Sequence, residues 1–334
     1  MPYTRKLQKI GESLFVSLPK LWIKRMQLNK GDLVMLIEQP DYSVVVHPGV
    51  KNESLKQIIL DVDVEESKWS IKRRVTGAYV DGFDVIKLRA VDRFTEEQQD
   101  VTRETIAALF GLEIIELTSN SVTIQCLLAK RLPIESTMQR VHNIIKSMFS
   151  ETVTALRERN PEAVKGVIKR TKDVRRLTLV LHRLLRSILL FPIERTPEMK
   201  PIDSVDFLRV MDKIAEISRS IKKIGESVAT WELSFPDSIL EPLLVICTRI
   251  MELYDSSMEA LMSKDVPLAN RVLDEKLEPI LDELWETVLE AEEKAEISGP
   301  TFSYTLRIVD NLKQMCGYSL EIAEIAIDRA EELS

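Results

Sequence analysis

The sequence of 334 residues predicts a multidomain protein in three parts: a small β-rich segment, a mixed α+β segment, and a long body that is mainly α-helical. Three observations carry this. In "SLFVSL", Leu14, Val16 and Leu18 alternate with Ser13, Phe15 and Ser17, a period of two. Between about residues 52 and 130, strand-like and helix-like stretches follow one another. From about Leu132 onward the apolar period changes to 3.6 and holds to the end.

In chain order, residues 4–18 read as a strand, and Pro19 suits the first position of the short helix "KLWIKRMQL", with Ser17 a candidate cap. "NKGD" reads as a turn in which Gly31 takes positive φ, and "LVMLIE" as a strand. "QPDY" is a type I turn candidate, followed by the strand "SVVVHP". The segment 52–130 orders as β-α-β-α-β-β, with "LEIIEL" and "SVTIQCLL" joined as a hairpin, and suggests a small α+β domain of ferredoxin-like type. Six long amphipathic stretches follow: 134–159, 161–190, 203–231, 237–263, 266–296 and 301–333. Breaks such as Asn160-Pro161, "SFPD" and "SGP" supply the Pro and Gly that helix ends require. These six form two sets of three. Residues 148–173 align with 253–278 at an offset of 105, placing Ala155-Leu156 on Ala260-Leu261 and Asn160 on Asp265, while Ile221 falls on Ile322 at an offset near 101. Two tandem three-helix bundles, 132–232 and 235–334, follow from that repeat; one irregular helical domain is the alternative.

Composition narrows the function. Cys126, Cys247 and Cys316 are far apart and form no C-x-x-C pair, which favours a reducing compartment over a disulfide framework. The most apolar stretch, Leu177 to Ile193, is interrupted by His182, Arg183 and Arg186, so neither a membrane span nor a secretory signal is expected, and a cytoplasmic location is. Gly-rich phosphate loops, G-x-S-x-G and H-E-x-x-H are all missing, so a non-enzymatic protein is expected. Residues 1–51 hold eight basic and four acidic residues, a net +4 on a chain whose total is −7. A basic end on an acidic body hints at nucleic acid. So small a unit has too little core to be stable alone, and oligomerisation is the usual remedy.

The ordered residues Lys9, Ile10, Gly11, Ser13, Val16, Leu18, Pro19, Lys20, Leu28, Gly31 and Asp32 give this front segment a resemblance to the AbrB/MazE-type swapped-hairpin domain. The resemblance implies a homodimeric interleaved β-barrel, residues 1–50, with Arg5, Lys6, Lys9, Ser13, Lys20, Lys24 and Arg25 facing DNA. Glu12 departs from the family pattern, and an acid in a DNA-facing loop weakens phosphate contacts. Some copies of this domain only dimerise.

Within "VDFLRVMDKIAEISRSIKKIGESV", Val210, Ile214, Ile217, Ile221, Ile224 and Val228 form one apolar stripe. Asp212 and Glu216 lie one turn apart on roughly the opposite face, as a solvated pair or as ligands of a hard or borderline cation. This segment and "SLEIAEIAIDRA" in the second repeat resemble the motif that ends each bundle of the PhoU family, regulators of phosphate uptake. The resemblance implies a divalent or ferric ion at Asp212 and Glu216. In the second repeat Lys313 and Gly317 stand where the family has acids, so no ion is expected there. A swapped-hairpin domain ahead of PhoU-like bundles is a recurring archaeal arrangement. Two functions follow from the joint resemblance. One is a DNA-binding transcriptional regulator of phosphate homeostasis whose helical body senses an effector. The other is a dimeric adaptor that docks on phosphate transporter subunits and restrains uptake. An antitoxin would follow from the front segment alone, but fits the long helical body poorly. The basic run "KRTKDVRRLTLVLHRLLR" reads as a solvated face or as an accessory surface for DNA or another anion.

Overall fold

The computed structural model describes residues 3–38, 42–48, 55–128, 133–190, 199–230, 236–275, 277–297 and 299–331. Two compact units emerge, Met1–Leu55 and Lys56–Ser334.

The first unit consists of two hairpins and a helix. β1 (Gln8–Ile10) pairs antiparallel with β2 (Ser13–Phe15). The sequence suggested one strand across 4–18; the chain instead reverses at Gly11-Glu12, where Gly11 has φ +62°, a conformation that costs glycine nothing. α1 (Lys20–Arg25) follows, with Pro19 just outside its first turn and no side chain capping it. In the next turn Gly31 has φ +95°, and Asp32 accepts a 2.8 Å hydrogen bond from the backbone N–H of Asn29. β3 (Val34–Glu38) and β4 (Val44–Pro48) form the second hairpin, Leu36 opposite Val46. Most of the "QPDY" turn lies outside the described residues. None of the described side chains of this unit is buried: Leu14, Leu21, Leu33 and Leu36 are each at least 65% exposed.

The second unit begins with an α+β layer: β5 (Gln57–Val62), α2 (Lys68–Val80), β6 (Val85–Ala90), α3 (Glu96–Ala108), β7 (Leu112–Leu117) and β8 (Ser121–Cys126). The sheet order is β5-β6-β8-β7, with β5 and β6 parallel and the rest antiparallel. This corrects the ferredoxin-like expectation. That topology places a β-β step between its helices. Here both helices precede the hairpin, and α2 is the crossover a parallel β5/β6 pair requires. Ser67 caps α2, and Thr95 with Gln98 forms a full capping box on α3. Val62, Ile86, Leu88, Val122 and Ile124 point into a core with Ile71, Val75, Tyr79 and Val101 of the helices. The intervening residues Asp61, Lys87, Arg89 and Thr123 lie on the other face, which is not buried.

The body contains α4 (Ile134–Arg157), a 3-10 turn at Pro161–Ala163, α5 (Val164–Leu190), α6 (Pro201–Ala229), α7 (Asp237–Ser263), α8 (Val266–Asp274), α9 (Glu278–Glu293) and α10 (Gly299–Ala330). The stretch 266–296, expected as one helix, is two. Pro279 sits in the first turn of α9, where its missing N–H is harmless; inside a continuous helix it would break a backbone bond. The two sets of helices share one apolar core running from Met138 to Ala326, because α6 packs along both α5 and α10. All six residues of the stripe on α6 are at most 1% exposed.

The internal repeat has a backbone signature. Arg159 (φ 52°) and Lys264 (φ 56°), 105 positions apart, both take the left-handed conformation that ends a helix, and Asn160 and Asp265 then begin the next. A Cβ at Gly225 of α6 would lie 3.6 Å from Ile168 of α5; in the second repeat, at the offset of 101, the residue is the buried Ala326.

Candidate functional site

The DNA-facing candidates are all exposed. Arg5 and Lys6 precede β1, Lys9 lies within it, Ser13 opens β2, and Lys20, Lys24 and Arg25 lie on α1. The hairpin register separates two of them. Lys9 stands opposite Leu14 and Ser13 opposite Ile10, so Lys9 and Ser13 occupy opposite faces. Lys20 and Lys24, four apart, share one face of α1. Lys24 and Arg25 also lie in its last turn, where positive charge complements the helix dipole.

The basic run on α5 resolves into separate tasks, and two of its arginines hold the α+β layer to the helical body. Arg183 is buried. Its Nη1 donates to the carbonyl oxygens of Tyr79 (2.7 Å) and Phe83 (2.9 Å), and its Nη2 donates to Asp84 Oδ1 (3.1 Å). The guanidinium also lies 5.2 Å from the centre of the Tyr79 ring. The other Asp84 oxygen accepts from the Lys56 backbone N–H at 3.0 Å. Arg186 pairs with Asp81 at 2.6 Å, in a more exposed position. The Tyr79 carbonyl, in the last turn of α2, also accepts from the Gly82 N–H at 3.1 Å, and Phe83 lies in the turn beyond; Arg183 thus bonds both the helix end and the turn that follows it. Burial pushes the Tyr79 phenol far above its usual range, and its hydroxyl donates to the Phe110 carbonyl at 3.0 Å. Arg170 turns to α4, donating to Ser147 Oγ (3.0 Å) and to Glu151. Lys169, Lys172 and Arg175 face solvent. No sequence pattern marks Arg183 apart from its neighbours; its partners lie 99 to 104 residues away.

Asp212 and Glu216 do not fit a metal ion. Asp212 is 3.4 Å from His182 Nε2 and Glu216 is 2.5 Å from Arg219, so each carboxylate has a cationic or proton-donating partner of its own. Lys213 between them reaches across to Glu321 of α10. Among the described residues no group of three or more His, Cys, Asp or Glu side chains could hold an ion.

Where the two helical sets meet, α4 and α7 are joined by a second polar contact. His142 Nε2 lies 2.9 Å from Asp255 Oδ1, and Lys146 Nζ donates to Asp255 Oδ2 at 2.5 Å. The His142 and Tyr254 ring centres lie 5.1 Å apart with the planes tilted by 45°. Burial holds the His142 imidazole below its ordinary pKa, with Asp255 opposing and Lys146 assisting. Beside it runs a cleft of about 450 Å³ lined by Asn143, Met258 and Glu259. At the far end of the body, buried Arg329 donates to Asp203 (3.0 Å) and to the Leu261 carbonyl (2.8 Å), 4.3 Å from the centre of the Phe207 ring, tying α10 to α6 and α7. These arrangements bind elements to one another; in the second of them the buried His142 Nδ1 and the Tyr254 hydroxyl have no hydrogen-bond partner among the described residues.

No helix among the described residues is long and apolar enough to cross a membrane. A search of curated proteins by sequence found no match. Among solved structures, the chain is similar to the phosphate transport system regulatory protein PhoU from Streptococcus pneumoniae, with a TM-score of 0.50 and 15% identity over 60% of this chain and 96% of that one. It is also similar to PhoU from Pseudomonas aeruginosa, with a TM-score of 0.46 and 12% identity over 58% of this chain and 93% of that one. Residues 138–228, which run from α4 through α6, match the family model of the PhoU domain, and the fold of the chain is similar to that of the Streptococcus pneumoniae protein.

Proposed function

We propose that this protein is a non-enzymatic regulator of phosphate uptake. It acts as a dimeric adaptor whose helical body docks on transporter subunits in the cytoplasm. The observation that carries this reading is the PhoU domain over 138–228, set in a body whose fold is like that of a phosphate transport regulator. Among the described residues of the first unit no side chain is buried, and this supports the dimer: large apolar residues such as Leu14, Leu21, Leu33 and Leu36 stay exposed. Closing two copies into a single interleaved barrel covers them, and the α+β layer, clamped by Arg183, moves with the helical body. Cells lacking the protein should accumulate phosphate faster when it is plentiful, and the tagged protein should retain transporter subunits on purification. Unchanged uptake together with no retained subunit rules the adaptor out.

A second reading is favoured by a specific observation, the exposure of all seven basic or hydroxyl candidates of the first unit. It is a DNA-binding regulator of phosphate genes. Retention of the protein's own promoter DNA should then fall steeply with salt and vanish in the Arg5→Ala, Lys6→Ala, Lys9→Ala triple variant, with the dimer intact. Loss of the dimer in that variant, or salt-independent retention, excludes it.

A further inference from the structure

Charge is unevenly distributed within the helical body. Residues 134–190, the α4–α5 hairpin, carry twelve Lys/Arg and five Asp/Glu, a net +7 in a chain of net −7. On α5, Lys169, Lys172 and Arg175 are exposed and have no ion-pair partner among the described residues. Lys165, Lys169 and Lys172 stand at i, i+4 and i+7, one row along the helix, with Arg175 a turn beyond; Lys165 also pairs with Glu162, and Arg176 is half-buried over the Phe110 ring.

α9 is its opposite. Glu278–Glu293 holds seven acids and no Lys or Arg, and all seven are exposed. Asp282 pairs with Lys313 (2.7 Å) and Glu290 with Lys294 (3.0 Å). Glu278, Glu283, Glu286, Glu292 and Glu293 make no ion pair or side-chain hydrogen bond among the described residues, though Lys294 lies in the field of Glu293. Asp282, Glu286, Glu290 and Glu293 stand at i, i+4, i+8 and i+11. The exposed cations from Lys165 to Arg175 therefore extend over ten residue steps and the acidic row over eleven, about 15 and 16 Å at 1.5 Å per residue.

Neither row meets the other within one chain. α9 packs on α7 and α10, whereas α5 packs on α4, α6 and α2, and both rows face outward. Like charges one turn apart repel along each helix, and an oppositely charged helix of equal reach relieves both. We propose that the cationic row of α5 docks on the acidic row of α9 in a second copy of this chain. The contact joins two different surfaces, so it repeats head to tail or closes into a ring. It is separate from any pairing of the first units, and it stands whether or not the protein regulates phosphate uptake.

Sedimentation velocity on the full chain at ~50 mM and ~500 mM salt tests it, since pairing of exposed charges is screened over a few ångströms at high salt. The wild type should form a larger species at low salt than at high salt. Lys169→Glu, Lys172→Glu, Arg175→Glu as one variant, and Glu283→Lys, Glu286→Lys, Glu293→Lys as another, should each weaken that association roughly tenfold or more while melting as the wild type does. An equimolar mixture of the two should regain a species larger than either forms alone. Exchange through the first units cannot produce that gain, because it leaves the size of each variant's assembly unchanged. A wild-type size indifferent to salt overturns the proposal, as does a mixture no larger than its components. Loss of DNA retention in the α5 variant with its assembly size unaltered also overturns it, and assigns the row to nucleic acid.

Discussion

The two units of this chain treat the same kind of residue in opposite ways. In the helical body, Ile214, Ile217 and Ile221 are fully buried, each contributing on the order of 1.5–3 kcal/mol. In the first unit, Leu14, Phe15 and Leu36 lie on regular hairpins yet remain 48–66% exposed. Local structure is formed in both, so hydrogen bonding and turn chemistry do not distinguish them. What distinguishes them is whether the apolar face is covered within the chain: it is in the helical body, and it is open to solvent in the described residues of the first unit. A hairpin of three-residue strands is marginal in water without such cover.

The largest test of that contrast lies in the clamp that makes the α+β layer part of the second unit. Arg183→Ala removes the donor to Asp84 Oδ1 and to the Tyr79 and Phe83 carbonyl oxygens and leaves a buried carboxylate without its counter-charge, at a cost of about 3–5 kcal/mol. Hydrogen exchange should then show β5 to β8 opening separately from α4 to α10; exchange that stays uniform across both would mean the apolar contacts suffice. Next, Ile214→Ala should cost about 2–5 kcal/mol in urea unfolding, at every protein concentration. Leu36→Ala should approach that loss only where protein concentration supports a dimer, and cost well under 1 kcal/mol in dilute solution. Equal costs at all concentrations for Leu36 would show that the first unit is covered within its own chain.

Smaller effects concern pH and backbone strain. Burial lowers the pKa of both His142 and His182, with Asp255 and Asp212 opposing. The unfolded chain therefore binds the extra protons first. Stability is constant above the ordinary imidazole value of 6.5, falls as pH drops from there toward the lowered folded values, and levels off below them. Urea midpoints should decline below about pH 6.5, by at most about 1.4 kcal/mol per pH unit for each group, and His142→Gln should remove one share of the slope. Smallest of all, Lys264→Gly should raise stability by about 1 kcal/mol, since glycine takes φ 56° without strain. The loss of the 3.9 Å approach of Lys264 to Asp203 subtracts little, because Arg329 already bonds that carboxylate.

Much of this was legible in the sequence. The α6 stripe, the Pro-marked helix ends and the offset of 105 all survive as buried residues and matched caps, because helical periodicity and proline act locally. The break before α9 was missed, although Pro279 marks it, because an apolar stripe runs through both α8 and α9. The sheet order was misread because strand pairing is non-local: β-α-β-α-β-β gives the elements but not which neighbours meet. For the same reason the Arg183 clamp was invisible. In sequence it is one cation among seven, and only the fold brings the end of α2 beneath it.

That distance along the chain has a temporal meaning. Asp84 is made 99 residues before Arg183. At a synthesis rate of ~5–20 residues per second, the α+β layer waits about 5–20 s with Asp84 and the end of α2 unclamped. Its six elements are complete by Cys126, so they emerge as a nascent layer with one helix end still in water. Docking of α5 is then the step that converts a newly made layer into a fixed part of the body. A translational pause ahead of α5 prolongs the window in which that exposed end is open to chaperones and proteases.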